Sequence, residues 1–179
     1  MNPITSIEQL IDCFDDAEPS EQVSVLKRID ISLNDFEKYA TWIEGGYTRN
    51  CITRKEDFEF ILLCWDRNVE TSIHDHSGQH CWVYQIDGTV EEKRFDLSSI
   101  NEVELKNHMK IKKGELTYMH DHMGFHSIKN ISETKAMTLH IYASPIDSCQ
   151  IYDQEKKHLK KIKLEYHSVN GKAIAEEVN

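Results

Sequence analysis

Apolar residues in the first fifty positions recur at steps of three and four. Ile7, Leu10, Ile11 and Phe14 follow Ser6; Val23, Leu26 and Ile29 follow Ser20; Phe36, Tyr39 and Ile43 follow Asn34. One apolar stripe per segment, with a hydroxyl or amide side chain just ahead as a cap, predicts three short helices. Gly45–Gly46 is expected to stop the third, because glycine tolerates the left-handed backbone that closes helices. From Tyr47 the texture changes to short runs rich in Val, Ile, Thr and aromatics, separated by small polar breaks. They are "DFEFILLCW", "QHCWVYQI", "TVEEKRF", "EVELKN", "ELTYMH", "HSIKNI", "AMTLHIYA", "CQIYD" and "KKIKLEYHS". So many short strands at close spacing predict a mainly β sandwich or small barrel. No repeat or linker divides the chain, so residues 1–46 are expected to pack as a helical segment on a β domain spanning 47–168. The tail, residues 169–179, has little to bury and is expected to fray.

Composition narrows the class without changing the fold. At 179 residues the chain can bury a sizeable core. Its 39% hydrophobic and 29% charged residues, with few Gly and Pro, exclude collagen-like and disordered chains. A formal charge of −10 argues against nucleic acid or an anionic membrane as partner. No apolar run is long enough to span a bilayer. The 5 cysteines include no CxxC pair, and "MNPITSIEQLIDCF" lacks the basic-then-apolar pattern of a secretory signal. Free thiols in a reducing cytoplasm are the expectation.

The chemistry concentrates in histidines. The tripeptide HDH occurs twice, in "TSIHDHSGQH" and in "TYMHDHMGFH". Side chains at i and i+2 of a strand face the same way, so His74 and His76 would share a face, with Asp75 on the other. Taken alone, such a pair is either half of a metal site or an exposed polar stretch, and a metal needs a further ligand from elsewhere. Similarly, Thr138, His140 and Tyr142 in "AMTLHIY" would share one face of a strand. A hydroxyl orienting an imidazole that orients a phenol makes a directional relay, although an ordinary strand with a half-buried Tyr and a satisfied His fits equally.

The wider pattern adds a resemblance. His74-x-His76 with Gly88 beyond it, then Gly114, His126 and Asn130, resembles the two-part motif of the cupin superfamily. The usual first-motif carboxylate is replaced by Cys81, and the second motif lacks its proline. With those departures, "YTRN", "SIHDHSGQHC", "GFHSIKN" and "LHIYASPIDSC" resemble, in order and near spacing, the cysteine dioxygenases among the thiol dioxygenases. The resemblance runs from about Tyr47 to His167.

That resemblance implies a cupin-type, jelly-roll-like small β-barrel preceded by short helices. It implies Fe(2+) held by His74, His76 and His126, with no organic cofactor. L-cysteine and O2 would be the substrates and cysteine sulfinic acid the product, made by a cytoplasmic monomer. Arg49 would hold the substrate carboxylate, helped by Tyr47. Tyr142 would act at the reacting centre, supported by His140 and by Thr138, which stands where the family usually has serine. Cys81 matches the cysteine that forms a thioether with the active-site tyrosine in animal-type members, so a Cys81–Tyr142 cross-link is expected. Cys149 would be peripheral, His80 and Trp82 strand packing, and His120 and His122 a polar turn. Chemically, three neutral imidazoles leave a ferrous ion its full double charge, favouring an anionic ligand and lowering the pKa of a coordinating thiol. Open alternatives are dioxygenation of 3-mercaptopropionate or another small thiol, a metal-binding cupin without oxygenase activity, and a zinc isomerase or hydrolase. Arg49, Cys81 and the Thr138–His140–Tyr142 set favour the dioxygenase, and Arg49 favours cysteine.

Overall fold

Ser6 caps the first helix as the sequence predicts. Its hydroxyl accepts from the Gln9 backbone N–H at 3.1 Å, and α1 runs over Ile7–Asp15 with Ile7, Leu10 and Phe14 buried. In this computed structural model, which describes residues 2–99 and 102–174, the next two helices are shorter than their apolar pattern suggests. α2 is Gln22–Leu26 and α3 is Leu33–Glu37, with Glu21 and Ser32 at the caps in place of Ser20 and Asn34. Helices this short persist only where packing holds them. The chain leaves α3 well before Gly45–Gly46, so that pair opens the first strand rather than closing a helix; Gly45 sits at φ 67° and donates to the Asp66 carboxylate at 2.8 Å.

The strands are β1 (Tyr47–Arg54), β2 (Glu59–Trp65), β3 (Cys81–Asp87), β4 (Thr89–Leu97), β5 (Val103–Lys112), β6 (Leu116–Met119), β7 (Phe125–Asn130), β8 (Ala136–Tyr142), β9 (Ser148–Asp153), β10 (His158–Lys163), β11 (Ser168–Val169) and β12 (Lys172–Ala173). β1, which carries "YTRN", lies outside the runs that the pattern marks as strands. The strands form three sheets: β12-β11-β1-β2-β8-β3-β6, β5-β4-β7, and β10-β9. They pack as a jelly-roll-like assembly whose hydrogen bonding does not close into a barrel. The stretch expected to fray instead begins with β11 and β12: Asn50 and Cys51 pair in parallel with Ser168 and Val169, which turn back onto Ala173 and Lys172. Residues 175–179, the rest of that expectation, lie outside the described residues.

The large sheet is covered on both faces, and this explains why β2 is apolar almost throughout. Phe60, Leu62 and Cys64 face the helices, in one core with Leu10, Phe14, Leu26 and Phe36. Ile61, Leu63 and Trp65 face inward, in a second core with Val90, Ile111 and Ile128 of the three-stranded sheet. β8 alternates in the same way: Met137, Leu139 and Ile141 meet the helices, leaving Thr138, His140 and Tyr142 to the interior. The helical segment therefore seals the back of the strand that carries the inward polar set. Phe14 is its anchor, with ring centroids 5.1 Å from Phe58, 5.3 Å from Phe60 and 6.2 Å from Trp82, all edge-on. Phe14→Ala should destabilise the fold by about 3–5 kcal/mol. Urea unfolding would read this as a lower midpoint with little change in slope.

Candidate metal centre and its cavity

The first HDH does not lie on a regular strand. His74 makes isolated bridges to His126 on β7 and to Ile151 on β9, and the chain then turns, with Ser77 and Gly78 both at positive φ. The His74 N–H donates to the His126 carbonyl at 2.9 Å, and the His74 carbonyl accepts from the His126 N–H at 3.0 Å. Asp75, pointing away, accepts from the Gln150 amide at 2.8 Å and from its side chain at 3.0 Å. His74 and His76 still converge, but through this turn rather than through strand alternation. Gly124, at φ 94°, is required just ahead of His126: a Cβ there would collide with the Phe95 carbonyl oxygen.

The three rings meet at steep angles, with centroids 4.5 Å apart for His74–His126, 4.6 Å for His76–His126 and 5.5 Å for His74–His76. One nitrogen from each ring lies within 4.8 Å of the other two, and among the described residues no other His, Cys, Asp or Glu group of three does this. The tautomers follow from the partners. His74 Nδ1 donates to the Ser72 carbonyl at 2.9 Å and His126 Nδ1 to Glu92 at 2.8 Å, so each Nε2 keeps a lone pair. Those two Nε2 atoms face each other at 3.2 Å, and neither ring nitrogen of buried His76 has a partner among the described residues. Opposed lone pairs beside an orphaned imidazole fit a cation between them, since cis ligands at ordinary metal–nitrogen lengths sit about 3 Å apart. Burial, then the neighbouring His126, pushes His74 down to about 3 and His76 well below its ordinary value, so both offer lone pairs at neutral pH.

Glu92 is the residue that sequence reasoning missed. It is fully buried and also accepts from Arg94 and from the Thr117 hydroxyl, each at 3.0 Å. Burial raises its carboxyl, but the His126 and Arg94 contacts outweigh that and hold it at about 2. The available signal was alternation in "TVEEKRF": Val90 and Glu92 are the buried positions, between outward Glu91 and Lys93.

A cavity of about 70 Å³ opens beside the histidines, lined by Tyr47, Arg49, His74, His76, His140, Tyr142 and Cys149 among others. Arg49 is only 8% exposed, yet its Nε and Nη2 have no partner among the described residues. Those two atoms form the guanidinium edge that makes parallel hydrogen bonds to a carboxylate. Tyr47 stacks on Trp65 with centroids 5.0 Å apart. The Trp65 indole N–H donates to Thr138 at 2.9 Å, and Thr138 contacts His140 Nε2 at 3.0 Å. The hydrogen-bonded chain thus runs Trp65–Thr138–His140 and does not continue to Tyr142, whose ring stacks near His140 with centroids 6.4 Å apart. Tyr142 instead stands beside Cys81, its direct register partner across β3 and β8. Burial raises both that phenol and that thiol, so each keeps its proton.

The second HDH lies outside this group. His120 precedes a 3-10 turn, Asp121–Met123, and the pair faces the surface beside His80. Its middle residue is the one that reaches the centre: Asp121 accepts from the His76 backbone N–H at 2.8 Å and also from that of Gly78. His80 is exposed rather than packed in a strand, whereas Trp82 packs against the helices. Asn130 is structural, donating to the Asp66 and Thr134 carbonyls at 3.1 and 2.9 Å. All 5 cysteines are free, and no helix among the described residues is long and apolar enough to cross a membrane.

Comparison with known proteins adds the following. A family model described as cysteine dioxygenase type I matches residues 2–155. The cysteine dioxygenase type 1 of Rattus norvegicus is 30% identical over 161 residues, covering 88% of this chain and 80% of that protein. The human protein of the same name is 30% identical over 162 residues with the same coverage. Among solved structures, the TT1209 protein from Thermus thermophilus aligns with a TM-score of 0.51 at 17% identity, over 62% of this chain and 94% of that one. A double-stranded β-helix protein from Klebsiella pneumoniae gives 0.50 at 15% identity, over 60% and 85%. These two likenesses bear on the fold alone.

Two outcomes follow from the buried imidazoles and their support. Glu92→Gln should weaken divalent-metal binding about 10–100-fold, read by titration with Co(II) or Fe(II) under anaerobic conditions. In the metal-free protein, His74 takes a proton near 3 when folded but near its ordinary 6.5 when unfolded. The unfolded chain therefore binds more protons between those values, and stability must fall as pH drops through that window. The urea midpoint followed from pH 7 to pH 4 should decline in the wild type and decline less in His74→Gln.

Proposed function

The chain belongs to the cysteine dioxygenase type I family, and from that premise we propose that it oxidises L-cysteine with O2 to cysteine sulfinic acid, as a cytoplasmic monomer using Fe(2+). The observation that carries this reading is one small cavity with three lone-pair imidazoles on one wall and the unpaired edge of Arg49 on another. His74, His76 and His126 would hold the iron, with Glu92 and the Ser72 carbonyl fixing two of the rings. Bound there, ferrous iron would supply the redox chemistry by which dioxygen oxidises the substrate thiol. The balance needs no external reductant: the sulfur is oxidised, dioxygen is reduced, and both oxygen atoms end in the sulfinic acid.

The protein's own groups set orientation and protonation. Arg49 takes the substrate carboxylate through Nε and Nη2, which turns the thiol and amine toward the histidines. Tyr47, flat on Trp65, walls the cavity beside it. Tyr142 keeps its proton and offers an O–H donor toward the reacting atoms, and the Trp65–Thr138–His140 chain fixes the imidazole next to it. The register pairing of Cys81 with Tyr142 supports a thioether between them, formed during turnover. That bond replaces an S–H and a ring C–H, releasing two protons and two electrons, which dioxygen accepts.

Anaerobic loading with ferrous iron, followed by oxygen and substrate, tests the reading. Oxygen uptake should match cysteine sulfinate formed, and Arg49→Ala should lower kcat/KM for cysteine by about 100-fold or more through loss of two charge-assisted bonds. Peptide mapping of the same samples should show Cys81 joined to Tyr142 after repeated turnover. Absence of uptake with both cysteine and 3-mercaptopropionate, at full iron occupancy, would sink the dioxygenase; equal turnover of the two would remove the preference for cysteine.

A further inference from the structure

The surface histidines around the second HDH carry chemistry that the buried centre does not use. His120 Nδ1 accepts the His122 backbone N–H at 3.2 Å, so that nitrogen is unprotonated, and a metal would take its lone pair in place of that bond. The His122 Nδ1 atom lies 2.7 Å from it, with ring centroids 4.6 Å apart. Two imidazole nitrogens at that separation need a proton or a cation between them. Replacing the proton by a metal requires them to open to about 3.3 Å, the spacing of tetrahedral ligands at ordinary zinc–nitrogen lengths. Both rings stand at the surface, where a small rotation costs little. His80 stands next to them, its ring centroid 4.5 Å from that of His120; with its Nδ1–H donating to the Tyr118 oxygen at 2.5 Å, its Nε2 keeps a lone pair. A ligating histidine steadied through its other nitrogen is the usual arrangement in metal sites.

We propose that His120 and His122, with His80 as third ligand, form a second metal site at the surface that takes an imidazole-preferring divalent ion such as Zn(II), Ni(II) or Cu(II). Oxygen-preferring Mg(II) and Ca(II) are excluded by the all-nitrogen donor set. The donor atoms of these three rings do not converge as those of the buried trio do, so binding includes rotation of exposed side chains about the fixed 3-10 turn. The site is also connected to the buried centre. Asp121 lies between its two chelating residues and accepts the backbone N–H groups of His76 and Gly78. An ion bridging His120 and His122 therefore stiffens the turn that holds the first HDH in place.

Zn(II) alone is the probe, added by equilibrium dialysis to the full chain after chelator treatment and removal of any affinity tag. The wild type should bind two equivalents, one lost in His120→Ala/His122→Ala and the other lost in His126→Ala. His80→Ala should weaken the outer equivalent and leave the inner one. Hydrogen exchange on the same samples supplies an independent reading: Zn(II) should slow the His76 and Gly78 amides more in the wild type than in the His120→Ala/His122→Ala variant. A single equivalent in the wild type overturns the proposal, as does unchanged stoichiometry in that double variant. Because the double variant keeps the buried trio, its oxygen uptake with cysteine tests the proposed enzyme separately.

Discussion

The candidate centre depends on one pair of backbone hydrogen bonds, exchanged between His74 and His126. Through it an irregular segment is held against a regular strand, and two imidazoles far apart in the chain are placed with their Nε2 atoms 3.2 Å apart. Side-chain chemistry alone would not hold them there, since opposed lone pairs repel. The cost is offset by the surrounding frame: Ser72 and Glu92 fix the rings, Asp75 ties the segment to β9, and Asp121 holds the turn that follows. Every one of these supports is a carbonyl or carboxylate accepting from an N–H, which directs basic nitrogen inward without adding positive charge.

Opposite this frame, the large sheet does two jobs through simple alternation. Its outward positions bury the helices and its inward positions furnish Thr138, His140 and Tyr142. The N-terminal helices consequently matter to a site whose cavity they do not line. They cover the aliphatic side of β8, and so they fix the strand whose other side walls the cavity.

How much was legible in the sequence depended on whether a signal was periodic. The first helix, its Ser6 cap and the inward face of "AMTLHIY" follow from period alone and stand as expected. The convergence of His74, His76 and His126 was readable only from a motif spanning the chain, because no local pattern links "IHDHSG" to "GFHSIKN". Strand β1 escaped because "YTRNCITR" alternates weakly, polar residues being buried there by partners such as Leu62 and Ser168. The fold of residues 168–173 escaped because two-residue strands leave no periodicity to detect. Glu92 was overlooked for a different reason: a carboxylate in a charged run looks solvated until the strand's inward face is known. The two HDH tripeptides divide along the same line, since what separates them is which of their residues the fold turns inward.

The alternation in β8 carries one more consequence, for how the chain must fold. Thr138, His140 and Tyr142 face inward, the last two onto the cavity, in only one pairing of β8 with β2 and β3; displaced by a single residue, Leu139 and Ile141 would take their place and His140 would press into the helices. Such a molecule would keep its strand content and much of its compactness while lacking a site altogether. The irregular step between Gln85 and Asp87, where the β3 pairing slips, and the Trp65–Thr138 bond both act as alignment marks that only the native pairing satisfies. Fidelity of strand alignment, more than depth of the core, is what separates a working copy of this chain from a well-packed bystander.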